Sequence, residues 1–145
     1  MSVAPSPFLL DTCVVSELRR GLMPSLVMGR VVGIPPEACY LSVVTIGEIR
    51  AGIEVLPEGR KRTDLIGWLA SIQGTYGDRM LDVTLEIAGE WGRVSALGRR
   101  QGRTIAAADG IIAATALVHD LTLVTRNSAD FESTGVRVFD PWRAG

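Results

Sequence analysis

The sequence predicts an α/β domain: a central, mainly parallel β-sheet flanked by helices. Three observations lead there. Short apolar runs recur along the chain, and segments with helical spacing separate them, the alternation expected of β-α-β units. No repeat, low-complexity tract or charge block divides the 145 residues, so one domain over residues 1–145 is expected. Hydrophobic residues make up 47% and charged residues 21%, which excludes a disordered chain and supplies a core.

The elements follow in order. Phe8–Leu10 is a brief apolar run ending at a charge and reads as a buried strand. Val14–Arg20 makes a short helix with Glu17, Arg19 and Arg20 outward. Tyr40–Ser42 reads as a second strand leading into a helix over Val43–Leu56, with the Pro/Gly-rich stretches Gly33–Pro36 and Pro57–Gly59 as loops. From Lys61 to about Tyr76 the spacing is helical, with Leu65, Trp68, Leu69 and Ile72 on one stripe. Met80–Val83 is a short strand. Thr84 opens a helix to Gln101 that places Ile87, Trp91, Val94 and Leu97 at helical spacing. Asp109–His119 is an apolar helix of small residues, Leu121–Val124 a strong β run and Val136–Phe139 the final strand.

Composition removes several classes of function. A net charge of −1, from 15 basic and 16 acidic residues, excludes a broad polycation and confines any nucleic-acid contact to a local patch. Lys61 is the single lysine and His119 the single histidine, so a two-histidine metal site is impossible. His119 ends an apolar helix, where the dipole favours it, and reads as structural. No histidine is placed to activate Ser16 or Ser42. Cys13 and Cys39 form no CxxC pattern, which suits a reducing cytoplasm. The N-terminus MSVAPSPFLL lacks the basic region of a secretory leader, and the apolar stretch Ile111–Val118 is far below the ~18 residues of a membrane span. A soluble cytoplasmic protein is expected. The mean hydropathy of +0.26 points to apolar surface covered by a partner, with Trp68 and Trp91 available for it.

Four carboxylates stand where carboxylates are disfavoured. Asp11 directly follows the first strand, at the sheet edge where open parallel sheets bind ligands. Position alone favours a helix cap. In a helix over residues 43–56, Glu48 shares a stripe with Val44, Ala51, Gly52 and Val55, whereas Arg50 and Glu54 lie on another face and can pair in solvent. A glutamate on an inner stripe requires an arginine or a cation. Asp109 opens the apolar helix, as a simple cap or as a carboxylate kept ionised by the helix dipole. Asp130 lies just past the strand Leu121–Val124, on the same edge as Asp11, or is an ordinary turn aspartate. Each acid alone has a dull explanation. Together they suggest convergence on one edge, where mutual repulsion calls for a divalent cation. Hard oxygen ligands select Mg²⁺ or Mn²⁺. Such a cluster suits metal-assisted phosphodiester hydrolysis.

At these residues the sequence resembles a known family. LLDTCVVSELRR, TIGEIRAG, AADGIIAATALVHDLTLVTRNSADF and GVRVFDPW are similar, in order and over nearly the whole chain, to the PIN-domain ribonucleases, and most of all to VapC-type toxins of bacterial toxin–antitoxin pairs. The resemblance implies that the acidic cluster falls on Asp11, Glu48, Asp109 and Asp130, with Asn127, Thr12 and Thr125 in support. It implies a Mg²⁺- or Mn²⁺-dependent endoribonuclease leaving a 5′-phosphate. It also implies a VapB-type antitoxin that obstructs the site and alone carries the operator-DNA contact; the apolar composition agrees and leaves surface for a homodimer as well. The family usually has Asn or Ser where this chain has Cys13, a small hydrophobe with a weak donor, read as an inert thiol rather than a redox sensor.

RNA approaching an acidic pocket needs flanking positive charge. Arg19, Arg20, Arg99, Arg100, Arg103 and Arg126 are the candidates; an ordinary solvated face is the usual fate of any one of them. Two other classes compete. A receiver-like phosphoacceptor domain needs a lysine at a strand end, and Lys61 lies in a polar helix-start segment. A catalytically silent interaction module explains the apolar surface but not four acids in disfavoured places.

Overall fold

The computed structural model describes residues 7–143. Strand β1 (Phe8–Leu10) lies at the middle of a five-stranded sheet, between β2 (Cys39–Ser42) and β4 (Thr122–Val124). With β3 (Met80–Leu81) and β5 (Val138–Phe139) at the edges, the order is β3-β2-β1-β4-β5 and every pairing is parallel. Phe8 pairs with Cys39 on one side and Thr122 on the other, and Leu10 pairs with Val124. The helices are α1 (Thr12–Arg20), α2 (Ser25–Val32), α3 (Val43–Glu54), α4 (Arg60–Tyr76), α5 (Leu85–Arg100) and α6 (Ala107–Val118). The chain steps outward from β1 to β3, then returns to lay β4 beside β1. That reversal opens a crevice at the carboxyl ends of β1 and β4, the place where such sheets hold ligands.

Strand alternation builds the two sides of the core. Leu9 and Leu123 face Ile112, Ala113 and Ala116 of α6, together with Phe131. Leu10 and Val124 face the opposite way, into a cluster with Val14 and Val15 of α1 and Val27 and Val31 of α2. Burying each such side chain contributes about 1.5–3 kcal/mol. The small residues of α6 let it lie close to its neighbours. A Cβ at Gly110 would stand 2.8 Å from Cδ1 of Trp91 in α5.

Several boundaries differ from expectation. Helix α1 begins at Thr12 because Asp11 caps it, and it ends at Gly21, whose φ of 68° is the left-handed conformation that glycine adopts freely. Helix α2, between Pro24 and Gly33, was not expected. Helix α3 stops at Glu54 rather than Leu56, and β3 and β5 are shorter than their apolar runs. In α5, Ile87 and Val94 are buried as expected, but Trp91 lies at the edge of the stripe, 37% exposed. Helix α6 begins two residues before Asp109, placing that carboxylate inside the first turn and not at the cap; His119 closes the helix as expected. Among the described residues no helix is long and apolar enough to cross a membrane. The leader expectation rests largely on residues 1–6, which lie outside the described residues.

Candidate active site

Asp11 is positioned by the end of β1. Its backbone N–H donates to Val124 O at 2.9 Å, carrying the β1–β4 pairing to the crevice. Its Oδ1 accepts from the Thr12 N–H at 2.8 Å, so the capping role is real. Its Oδ2 accepts from Thr125 Oγ1 at 2.7 Å and lies 3.5 Å from Cys13 Sγ. A carboxylate only 4% exposed is thus held by donors on both oxygens, the condition for burying such a charge. Thr125, itself buried, sits just past β4 and accepts from the Asn127 N–H at 3.0 Å. The support expected from Asn127 therefore comes through its backbone. Among the described residues its side-chain amide has no hydrogen-bond partner.

Glu48 overturns an expectation. The stripe it shares with Ala51, Gly52 and Val55 is exposed, and the buried face of α3 is instead that of Thr45 and Ile53, with Ile46 and Ile49 partly buried. The apolar residues of α3 fall on more than one face, so hydrophobic content does not single out the buried one. Glu48 is exposed and looks into a cleft of about 500 Å³ lined also by Thr12, Arg19, Arg20 and Lys61. Thr12 Oγ1 donates to its Oε1 at 2.6 Å. The arginine beside it in sequence, Arg50, is taken by Glu54 at 2.5 Å, as expected. Sequence reasoning missed Thr45, whose hydroxyl meets Thr12 Oγ1 at 3.0 Å. The available signal was the i, i+3 spacing from Thr45 to Glu48, which sets both on one side of a helix.

Asp109 and Asp130 share a second cleft of about 430 Å³, with Arg103, Thr104 and Ser133. Asp109, in the first turn of α6, is half-buried. Asp130 is exposed in the 3-10 segment Ser128–Thr134 after β4; its N–H donates to Asn127 O at 3.0 Å, so the turn role also holds. Burial, and then the charges of Asp11, Glu48 and Asp130, push the Asp109 carboxyl up to about 6. The charges of the three other acids thus all reach Asp109. Among the described residues no salt bridge engages any of them. They do not form a closed cage: among the described residues no three Asp, Glu, His or Cys side chains group closely enough to hold an ion ready-made. The expected convergence is an open arrangement spread over two clefts. An all-oxygen donor set with no salt bridge to any of its members fits a hard cation, and Mg²⁺ takes only one or two carboxylates directly and keeps its waters.

The Cys13 thiol is partly buried beside Asp11. Burial, and then the charge of Asp11, raise it to about 11, so it is protonated at neutral pH. The arginines divide. Arg19 and Arg20 line the Glu48 cleft, with Arg19 over the Trp68 ring at 5.7 Å. Arg103 lines the Asp109 cleft and reaches Ala129 O at 3.3 Å and Glu132 at 3.2 Å. Arg126 stacks on Trp142 at 5.2 Å, 3.7 Å from Glu17. Arg99 and Arg100, in the last turn of α5, line neither cleft.

Similarity to known proteins covers this whole framework. The PIN domain profile matches residues 8–136. Toxin FitB of Neisseria gonorrhoeae is 37% identical over 92% of this chain and 97% of its own length. VapC ribonuclease Y4jK of Sinorhizobium fredii is 32% identical over 92% of this chain and 96% of its own. The crystal structure of FitAcB from Neisseria gonorrhoeae superposes with a TM-score of 0.87 at 36% identity, covering 94% of this chain and 99% of that one. With the profile matched from β1 to the end of the Asp130 segment, and the parallel sheet and acidic edge in the same frame, this chain belongs to the PIN domain family.

Proposed function

We propose that this chain is an endoribonuclease toxin of a toxin–antitoxin pair, hydrolysing RNA phosphodiester bonds with Mg²⁺ or Mn²⁺ at Asp11, Glu48, Asp109 and Asp130. One observation carries the proposal: four carboxylates stand in or beside two clefts at the sheet edge with no salt bridge to any of them among the described residues. Burial first and the other three charges second raise Asp109 to about 6, a cost that a cation would relieve. The names of the relatives, a toxin and a ribonuclease, supply the activity class. When bound, the ion supplies Lewis-acid help, activating water and offsetting charge on the leaving oxygen. The chain's own residues prepare the site. Thr125 and the Thr12 N–H hold Asp11 in one orientation, and Thr12 Oγ1 holds Glu48. Arg19, Arg20 and Arg103 offer phosphate contacts at the mouths of the two clefts.

The receiver-like alternative loses support because Lys61 stands in the first turn of α4 and not at a strand end. A VapB-type antitoxin and a second copy of the chain are the proposed protein partners, and operator DNA is proposed to be contacted only through the antitoxin; a related FitAB complex is known bound to a DNA fragment. Exposed Leu22, Leu26 and Leu85 offer apolar surface for such partners. The test is cleavage of defined RNAs by wild type and Asp109→Asn, with Mg²⁺ and with EDTA. Products with a 5′-phosphate, formed only by wild type and only with Mg²⁺, are expected. Equal activity in every condition would remove the mechanism.

A further inference from the structure

We infer that Thr45 is a positioning residue of this site: its buried hydroxyl donates to Thr12 and thereby commits the Thr12 proton to Glu48. The inference rests on the acidic site proposed above. Thr45 is fully buried, at 0% exposure, with its Oγ1 3.0 Å from Thr12 Oγ1. Thr12 Oγ1 in turn lies 2.6 Å from Glu48 Oε1. A threonine hydroxyl carries one proton, and an ionised carboxylate only accepts. The proton of Thr12 must therefore go to Glu48. Thr12 Oγ1 is then left as acceptor, and Thr45 is the donor.

Helical threonines often satisfy themselves by bonding back to the carbonyl four residues earlier, as Thr115 does to Ile111 O at 2.7 Å. Among the described residues Thr45 makes no such bond, and Thr12 is its one partner. Its hydroxyl is accordingly spent across the gap between α3 and α1. The two bonds run in series and polarise one another. Glu48 is an exposed, flexible side chain, and nothing else in the described structure hydrogen-bonds it. Removing the Thr45 hydroxyl leaves Thr12 without its donor and free to turn away from Glu48.

The test measures Mn²⁺ affinity of the full chain by electron paramagnetic resonance of the free ion, beside kcat and KM for RNA cleavage. Thr45→Val keeps the shape and removes the proton. It is expected to weaken Mn²⁺ binding roughly tenfold, the lower end for lost outer-shell partners, and to lower kcat with KM unchanged. Thr45→Ser should restore both. In a Thr12→Val background Thr45→Val should change nothing further, because the two act as one chain. Wild-type Mn²⁺ affinity in Thr45→Val, or independent addition of the two effects, overturns the inference. Should Thr45→Val not fold, Thr45→Ala, which also removes the hydroxyl, takes its place with the same expected loss. Glu48→Gln separates the two levels. If it too leaves Mn²⁺ affinity unchanged, the acidic site has failed; if it weakens binding while Thr45→Val does not, only the relay has.

Discussion

Replacing Asp109 by Asn, which keeps the shape and removes the charge, should stabilise the metal-free protein. The carboxyl rises from its ordinary 3.8 to about 6 on folding, so the folded state holds this proton more tightly than the unfolded state. Stability from this group is therefore lost as pH climbs from about 4 through 6, and the loss is complete above about 7. A shift of that size corresponds to roughly 3 kcal/mol, which solvent screening around a half-buried group reduces to about 1 kcal/mol. In a domain of this length that is about 3 °C in Tm. Differential scanning calorimetry in EDTA at pH 7.5 should show Asp109→Asn melting higher than wild type by about this margin. Below pH 4 the difference should vanish. Millimolar Mg²⁺ should raise the wild-type Tm and raise that of the variant much less, because the ion relieves a repulsion the variant no longer has. An Asn variant no more stable than wild type at pH 7.5, or one that keeps the full Mg²⁺ gain, would refute the shared field.

Other consequences follow from the same geometry. Thr125→Val removes a donor from buried Asp11 and should destabilise the protein by about 1–3 kcal/mol in urea unfolding. Arg103→Ala should weaken RNA binding and reduce its salt slope by about 1, whereas Arg99→Ala and Arg100→Ala, which line neither cleft, should change both less; equal effects would contradict the division. Cys13 should react with iodoacetamide roughly tenfold more slowly than an ordinary thiol, because the rise from 9.0 to about 11 cuts the thiolate fraction about a hundredfold while the more basic thiolate regains about tenfold in nucleophilicity. Gly98→Ala should destabilise α5 and the loop after it, because its Cβ would meet Arg103 O and Ile105 Cδ1 at 3.0 Å, a crowding worth about 1–3 kcal/mol.

The fold was readable because the strands are short, apolar and bounded by helical spacing; every strand of the sheet coincides with an apolar run. Helix α2 escaped because Pro24, Gly29 and Gly33 break the stretch that also carries Val27 and Val31, and their burial against Leu10 and Val124 exists only in three dimensions. Asp11 was readable from its place after a strand, and it proved to be both cap and site residue. The face of Glu48 was misread for a physical reason. Apolar residues of α3 lie on more than one face, and the buried one, with Ile53, also carries the polar Thr45, whose hydroxyl meets one from α1. That meeting joins positions 33 residues apart, beyond any local pattern.

Anomalous diffraction from Mn²⁺-soaked crystals addresses the central claim most directly. A peak is expected at the carboxyl ends of β1 and β4, within water-mediated or direct reach of Asp11, Glu48, Asp109 and Asp130, and it should be absent in Asp109→Asn. Manganese bound only elsewhere, or unchanged in the variant, would contradict the account.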